Sequence, residues 1–300
     1  MARARQIIRF ILSVIILTCP AAFAAPRVIS LYPGHTDNVI ALGGADMLAG
    51  VSENDATGRL PGLPRLSLRV GAEALLALRP DVVLTRSMAE RMNPNLSEVL
   101  RRSGVRVESI DPPSWDEFPE YLRRLAGILG LDPEAGVEKL AALRGSIAER
   151  ARASSKRAPR VLVEATAREL HTCAPDSWAA RLVELAGGVN VASGARPQRE
   201  GSAIAPWGLE RVLRTLDEGL DVYIIQRGAM NAATLEEVRA RPWAEALEGV
   251  KLVEMPEDEL SRPSLLGLER GGERLLDILY GEAESVLQPR NVHNKVEKPL

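Results

Sequence analysis

The sequence predicts an α/β protein of two lobes, each built on a mainly parallel sheet, with one long helix joining the lobes and a ligand cleft between them. Short β-branched runs alternate with longer helical patterns, and this alternation stops and restarts near the middle of the chain. Such alternation is typical of βαβ units and therefore of parallel sheets. A chain of 300 residues is long enough for two domains that each bury a core.

The predicted strands fall into two series. Each is a short run rich in Val, Ile and Leu, and turn residues or an amphipathic pattern follow it. The first series belongs to an N-terminal lobe, residues 25–131, and the second to a C-terminal lobe, residues 159–284. The runs are residues 27–31, 47–51, 81–84 and 105–110 in the first series, and residues 160–164, 221–225 and 250–253 in the second.

The segment between the lobes, residues 132–158, has the pattern of a single helix. Asp132 is a good N-cap and Pro133 a good first residue, and apolar side chains then recur at helical spacing until Pro159. A helix from Pro133 to about Ser155 would be ~34 Å long. A stiff connection of this kind predicts a cleft of nearly fixed width, whereas a crossover helix packed on one sheet is the alternative.

Composition excludes several classes of protein. Hydrophobic residues make up 46% of the chain and charged residues 26%, and the mean hydropathy is −0.05, which is typical of a globular protein rather than a fibrous, low-complexity or polytopic membrane protein. Because 38 Lys and Arg oppose 40 Asp and Glu, the chain has no general basic field for a polyanion. Nucleic acid is therefore not an expected partner.

The first 24 residues have the pattern of a cleaved secretory signal, which predicts export of the mature chain. Three arginines precede an apolar run over residues 10–17, and Ala22-Phe23-Ala24 provides the small residues of a cleavage site. A retained membrane anchor is one alternative, but the run is well short of the ~20 residues that span a bilayer. Lipidation at Cys19 is a second, disfavoured because Thr18 and Pro20 flank it.

The mature chain would keep one cysteine, Cys173, so it cannot form an internal disulfide. Its last residues, 285–300, are polar, lack periodicity and are expected to be a flexible tail.

The sequence lacks the common catalytic motifs. It has no phosphate-binding loop, dinucleotide fingerprint, nucleophile elbow, His-Glu-x-x-His or Cys-x-x-Cys, and it has only 3 histidines. We therefore expect no catalytic residues and no metal site or cofactor of the protein's own. An export signal with two α/β lobes favours a binding function.

Four segments resemble one family in order and spacing. They are PRVISLYPGHTDNVIALG at residues 26–43, VGAEALLALRPDVV at 70–83, LVELAGGVN at 182–190, and Arg241-Pro-Trp243 leading to Val250-Lys251. Together they resemble the class III periplasmic substrate-binding proteins of ABC importers, which bind ferric siderophores, haem and vitamin B12. The resemblance covers about residues 26–281 and implies a monomer that captures a metal chelate between its lobes. It also implies delivery to an inner-membrane permease with its ATPase.

The resemblance implies two docking residues. In the family one surface glutamate on each lobe pairs with arginines of the permease, and Glu73 and Glu210 resemble these two. Each stands just inside a predicted helix start, so a favourable interaction with the helix dipole is the alternative explanation. Dipole placement does not explain a matching glutamate in each lobe.

The ligand residues are expected in loops after the strands, because ligands of open α/β sheets bind outside the carboxyl ends of the strands. These loops are residues 32–36, 53–55, 85–86, 171–177 and 257–262, with Arg69 on the rim and a tryptophan as a pocket wall. Three arginines that converge there would favour an anionic chelate. The expected ligand residues are Tyr32, His35, Glu53, Arg69, Arg86, Cys173, Trp207 and Arg262.

Three of these residues have alternative roles. Tyr32 or His35 could bind a metal of haem or a corrin axially, or His35 could be a hydrogen-bonded loop residue beside a helix that begins near Asp37. Cys173 could face the pocket, although a buried structural thiol is the commoner role of a free cysteine.

The ligand itself stays open at this stage. Vitamin B12 binders grip the corrin with several aromatic side chains, whereas Arg69 and Thr85 stand at the matching positions here and only 4% of the residues are aromatic. A ferric siderophore and a corrinoid rank nearly level, with haem behind them. An exported α/β enzyme that uses the cleft, and a sensor with the same fold, are the alternative functions.

Overall fold

A computed structural model describes residues 25–56, 60–154 and 156–281. The predicted signal peptide with Cys19, and the predicted tail, lie outside these residues. Within the described parts of the chain, no helix is both long and apolar enough to cross a membrane.

The first sheet is parallel throughout and has five strands in the order β3-β2-β1-β4-β5. Its inner strands are apolar and buried, as expected when helices cover both faces of a parallel sheet. The strands are β1 Val28–Ser30, β2 Leu48–Ser52, β3 Arg65–Leu66, β4 Val82–Thr85 and β5 Arg106–Ser109; the helices are α1 Pro33–Ala41, α2 Ala72–Ala77, α3 Ser87–Met92, α4 Leu96–Arg102 and α5 Phe118–Leu129.

The second sheet is mixed and has six strands, with β11-β10-β6-β7-β9 in order and β8 beside β6. β6, β8, β10 and β11 are parallel, whereas β7 is antiparallel to β6 and to β9. The strands are β6 Arg160–Thr166, β7 His171–Cys173, β8 Val189–Asn190, β9 Ile204–Ala205, β10 Val222–Arg227 and β11 Lys251–Pro256; the helices are α7 Trp178–Leu185, α8 Leu209–Asp217, α9 Leu235–Arg239, α10 Glu257–Leu260 and α11 Leu265–Tyr280.

A single helix of 21 residues, α6 Pro133–Ala153, runs between the two sheets. The Asp132 side chain caps it by accepting from the Glu134 N–H at 2.9 Å, as the sequence predicts. At 1.5 Å per residue its length is about 31 Å. The strands before and after it belong to different sheets, so it is no crossover within one sheet, and the predicted fold class is confirmed.

The two lobes share one hydrophobic core. It includes Val39 of α1, Phe118 of α5 and Leu140 of α6 together with Trp178 of α7 and Leu275 of α11, all at most 5% exposed. The Trp178 ring lies 4.9 Å from the Phe118 ring, centroid to centroid. A large rotation of one lobe against the other would expose this core to water, which is unfavourable.

Candidate functional site

The candidate site begins at the carboxyl ends of β1 and β4. Tyr32 follows β1 and is the N-cap of α1, and Arg86 follows β4 and is the N-cap of α3. The Arg86 guanidinium carbon lies 4.5 Å above the centre of the Tyr32 ring, which is the geometry of a cation–π contact. Helix α1 starts at Pro33 and not near Asp37, and proline at a first helical position is the signal that marks this start.

Charged groups from both lobes surround Tyr32. Burial raises the pKa of its hydroxyl above the usual value. Among the neighbouring charges, Arg262 and Arg86 lower this pKa, whereas Glu257 and Asp37 raise it. Arg262 and Glu257 come from the C-terminal lobe, so Tyr32 lies where the two lobes face each other. Because its pKa is raised, Tyr32 is a neutral phenol at neutral pH and would have to lose a proton to bind a metal as tyrosinate.

Arg262 is compensated by acidic residues of the opposite lobe. Its guanidinium lies 3.9 Å from a carboxylate oxygen of Asp37, and both side chains are largely buried. Asp55 stands nearby and accepts from the Thr36 hydroxyl at 3.1 Å. Burial raises the pKa of Asp55 to about 6, the Thr36 bond lowers it, Asp37 raises it and Arg262 lowers it. Arg262 therefore ties the lobes together, rather than standing as a free anion receptor as expected.

Arg86 is not compensated in this way. Across residues 25–56, 60–154 and 156–281 it forms no ion pair, and its Nε atom is buried without a hydrogen-bond partner. Apart from the Tyr32 ring, its polar contact is with the Met88 sulfur at 3.4 Å. A half-buried guanidinium with unused donors is suited to a carboxylate or another anionic oxygen.

His35 is a core residue. It is fully buried within α1, its Nδ1 lies 2.8 Å from the Tyr121 hydroxyl, and its Nε2 lies 3.0 Å from the Ile110 carbonyl. Burial lowers the pKa of the imidazole to about 4. Both ring nitrogens are engaged in hydrogen bonds, which is the geometry of the hydrogen-bonded alternative, and axial binding of a metal by His35 would require one of these bonds to break.

Cys173 is likewise a core residue. It ends β7, which runs antiparallel to β6 and so leads away from the cleft edge, and it is 4% exposed. Burial raises the pKa of its thiol to about 12. Residues 171–177 are therefore not a cleft loop as a whole, and of the two expectations for Cys173 the buried structural thiol is the one observed.

The remaining expected ligand residues are Glu53, Arg69 and Trp207. They lie at or near the cleft edge of their lobes, apart from Tyr32. Glu53 is exposed in the turn after β2, and Arg69 is exposed just before α2. Trp207 is half-buried against the second lobe's own core, with the Arg211 guanidinium 5.2 Å from its ring. Of the three arginines expected to converge, two act on Tyr32, and Arg69 is not among the charges that shift its pKa.

Glu73 and Glu210 occupy equivalent places in the two lobes. Each is exposed and is the second residue of its helix, after a glycine N-cap: Gly71 before α2 and Gly208 before α8. The Glu210 carboxylate accepts from Arg214 one turn later, at 2.9 Å.

The sequence reasoning missed Asp37 as part of the site. Asp55 and Glu257 fall within the loops that were expected to line the cleft, residues 53–55 and 257–262, although neither was named as a ligand residue. Asp37 lies inside a helix and is recognised only through its approach to Arg262. Within the described part of the chain, no group of three or more His, Cys, Asp or Glu side chains is arranged to hold a metal ion.

Comparison with known proteins identifies the family. The model of the periplasmic binding protein family matches residues 28–257. A vitamin B12-binding protein of Vibrio cholerae is 25% identical over 193 residues, which are 62% of this chain and 69% of that protein.

Solved structures share the fold. A protein of Staphylococcus epidermidis, described as a possible iron-binding, periplasmic solute-binding protein, aligns with a TM-score of 0.67 at 19% identity, over 85% of this chain and 99% of its own. A periplasmic haem-binding protein of Vibrio cholerae aligns with a TM-score of 0.66 at 20% identity, over 85% and 99%. With the family model matching most of its length, this chain belongs to the periplasmic binding protein family.

Proposed function

We propose that this chain is the substrate-binding component of an ABC importer, which captures a metal chelate between its lobes and delivers it to an inner-membrane permease and its ATPase. Similarity to proteins that bind vitamin B12, haem or iron supports a chelate as the ligand. The family indicates a periplasmic location, and export through a signal peptide at residues 1–24 is part of the proposal.

The observation that carries the ligand class is the uncompensated Arg86 against the Tyr32 ring. A half-buried cation with unused donors favours a ligand that brings a negative charge. We therefore place a ferric siderophore or another chelate with an anionic arm first, and a corrinoid, whose side arms are neutral amides, second. Haem, with two propionates, fits Arg86, but the expected His35 ligand is occupied, which leaves Tyr32 as its axial ligand.

Binding measurements on residues 25–300 test this proposal. Tryptophan fluorescence and absorbance are followed while ferric siderophores, haemin, cyanocobalamin and cobinamide are added in separate titrations. Arg86→Gln should weaken binding of an anionic chelate by about tenfold or more, the value of a charge-assisted hydrogen bond. Arg102→Gln, at an exposed position on α4, is the control and should bind as the wild type does. Absence of saturable binding in all four titrations would refute the chelate assignment.

Docking to a permease is proposed for Glu73 and Glu210. Their exposure and their equivalent helix positions support it. Glu73→Arg combined with Glu210→Arg should abolish uptake of the ligand by cells and leave its Kd unchanged. The control pair is Glu120→Arg with Glu273→Arg, also exposed acids on the two halves of the chain, and it should transport normally. A change in Kd in the first pair would place these glutamates in the pocket or the fold.

A binding role rather than a catalytic one is part of the proposal. Cys173, the one thiol that the mature chain would keep, is buried and its pKa is raised to about 12, so a nucleophilic thiolate is scarcely populated at neutral pH. His171, its neighbour in the chain, lies 3.7 Å from the Glu169 carboxylate. Both features support a binding role rather than a catalytic one. Normal uptake of the ligand by cells that carry the control pair would show transport, which distinguishes an importer component from a sensor.

A further inference from the structure

The side chain of Asn38 crosses from one lobe to the other. It lies in α1 and is fully buried, its Nδ2 donates to the Pro263 carbonyl at 3.1 Å, and its Oδ1 accepts from the Leu265 N–H at 3.0 Å. A carbonyl only accepts and an N–H only donates, so these partners establish the orientation of the amide. Leu265 is the first residue of α11, and Asn38 thus satisfies one free donor of a helix in the opposite lobe.

Asn38 continues into a chain of hydrogen bonds within its own lobe. Its Nδ2 also donates to the Gly34 carbonyl at 2.7 Å and lies 3.4 Å from the Tyr121 hydroxyl oxygen, so the two hydrogens of the amide are shared among three acceptors. The His35 Nε2 faces the carbonyls of Thr85 at 3.2 Å and Ile110 at 3.0 Å, so Nε2 carries the proton of the neutral ring. Its Nδ1 therefore accepts from Tyr121 at 2.8 Å. All groups in this chain are neutral.

The two ends of the chain lie beside the two arginines of the site. Thr85 immediately precedes Arg86, which stacks on Tyr32. Pro263 immediately follows Arg262, which lies 3.9 Å from Asp37. The hydrogen bonds thus connect the backbone that carries one cleft arginine with the backbone that carries the other.

We propose that His35, Tyr121 and Asn38 act as positioning residues, forming a neutral relay that holds the cleft edges of the two lobes at one separation and thereby selects ligands by size. A shift of either lobe would leave the partly buried Pro263 carbonyl and the buried Leu265 N–H unpaired, and such groups are costly to bury without partners. Apolar side chains at these places would fill the same space but would tolerate sliding. The selection of a ligand rests on the proposed function, whereas the positioning of the lobes does not.

The structure provides matched controls for this relay. Tyr223 and Asn231 are also a buried tyrosine and a buried asparagine in one hydrogen-bonded network, because both bond the Glu164 carboxylate, at 2.5 Å and 3.3 Å. That network lies wholly within the C-terminal lobe. Substitutions there remove the same chemical groups without touching the contact between lobes.

The experiment measures the separation of the lobes in ligand-free protein. Spin labels are placed on cysteines at two exposed positions, Glu98→Cys on α4 and Glu236→Cys on α9, with the buried Cys173 left in place. Pulsed electron paramagnetic resonance then gives the distance distribution between the labels. Asn38→Ala and Tyr121→Phe should broaden or shift it, whereas Asn231→Ala and Tyr223→Phe should leave it as in the wild type.

Ligand selection is measured on the same variants without labels. Among ferric desferrioxamine, haemin, cyanocobalamin and cobinamide, selection is the ratio of the next-best to the best Kd of the chelates that the wild type binds. This ratio should fall by about threefold or more in the two relay variants, which corresponds to a fraction of the free energy of one hydrogen bond. The two control variants should keep the wild-type ratio. If Asn38→Ala does not fold, Tyr121→Phe, which loses one hydroxyl, still tests the relay.

A wild-type distance distribution in folded relay variants, or equal broadening in the controls, would overturn the proposal. If the wild type binds none of the chelates, the proposed function fails while the distance measurement still decides the relay. The two failures are therefore distinguishable.

Discussion

Removal of the Arg241 side chain should destabilise the protein strongly, because it would leave a carboxylate buried without its cation. Arg241 bonds both oxygens of Glu164, at 2.5 and 2.9 Å, and the Glu164 side chain is 1% exposed. The remaining partners of the carboxylate are neutral, Tyr223 and Asn231. Neither can replace the missing positive charge.

The expected loss follows from the burial of the pair. Breaking a buried ion pair by removing one partner costs about 3–5 kcal/mol. Since 15% of the Arg241 side chain is exposed, water can approach the site, and we expect a value near ~3 kcal/mol for Arg241→Leu. In a protein of this size that loss corresponds to a decrease in Tm of roughly 6–12 °C.

The loss should depend on pH. In the wild type, burial raises the pKa of Glu164, but the bonds from Arg241 and Tyr223 outweigh it and hold that pKa below its usual range. Its contribution to stability is therefore present above the unfolded pKa and is lost as the pH falls through the folded pKa. In Arg241→Leu burial dominates and raises the pKa, so the variant is destabilised increasingly as the pH rises. The two proteins should differ more at pH ~7.5 than at pH ~4.5.

Urea unfolding of residues 25–300 at these two pH values is the measurement, and Glu164→Gln combined with Arg241→Met is the control. The double variant replaces the ion pair by neutral groups of similar size, and we expect it to lose less than the single variant. A loss below about 1 kcal/mol for Arg241→Leu, or an equal loss at both pH values, would refute the role given to this pair.

Three further predictions concern buried titratable groups. His35 has a folded pKa of about 4, below its ordinary value of 6.5, so the stability of the protein should decline as the pH falls from 6.5 to 4. At pH ~6, nitrogen-detected NMR should show a neutral ring protonated on Nε2. A charged imidazole at that pH would contradict the buried geometry. The pKa of Asp55 is raised to about 6, so its carboxylate destabilises the fold as the pH rises through that value. In urea unfolding, Asp55→Asn should raise the free energy of unfolding by ~1–2 kcal/mol at pH ~7.5 and leave it unchanged below pH ~4. An equal gain at both pH values would count against this role of Asp55. Cys173 should resist iodoacetamide at pH ~8 in native buffer and react in urea, as judged by mass spectrometry, because burial raises its pKa to about 12; labelling of the folded protein would show that the thiol is accessible.

The sequence predicted the fold well where strands are long and apolar. The seven runs identified from β-branched residues all overlap observed strands, with ends displaced by at most three residues. Four strands were missed, β3, β7, β8 and β9, which have two or three residues each. Elements that short have no periodicity to detect, and tertiary pairing alone makes them strands.

The site was predicted less completely, because the chain positions of residues do not reveal their partners. Tyr32 and Arg86 follow strands and lie together as that position suggests. His35 also follows a strand, but helix α1 begins before it and rotates its ring into the core. Arg262 was expected to receive an anion from a ligand, whereas an acid of the other lobe already provides one. Nothing in the local sequence of Arg262 indicates Asp37, which lies more than two hundred residues earlier.

The molecule has two buried polar networks of different chemistry. The charged network lies within one lobe and the neutral network lies between the lobes. The network around Glu164 contains a full charge pair and lies within one lobe, where a single rigid sheet keeps its geometry constant. The relay across the lobes is neutral, and burial keeps His35 neutral above a pH of about 4. A charged contact at that junction would change with the pH of a compartment open to the environment, and so would the separation of the lobes. Asp37 and Arg262 do pair there, at a longer 3.9 Å. Hydrogen bonds among neutral groups do not change with pH in this way. They are therefore the contacts between the lobes that can keep the cleft width constant over the pH range in which the ligand is captured.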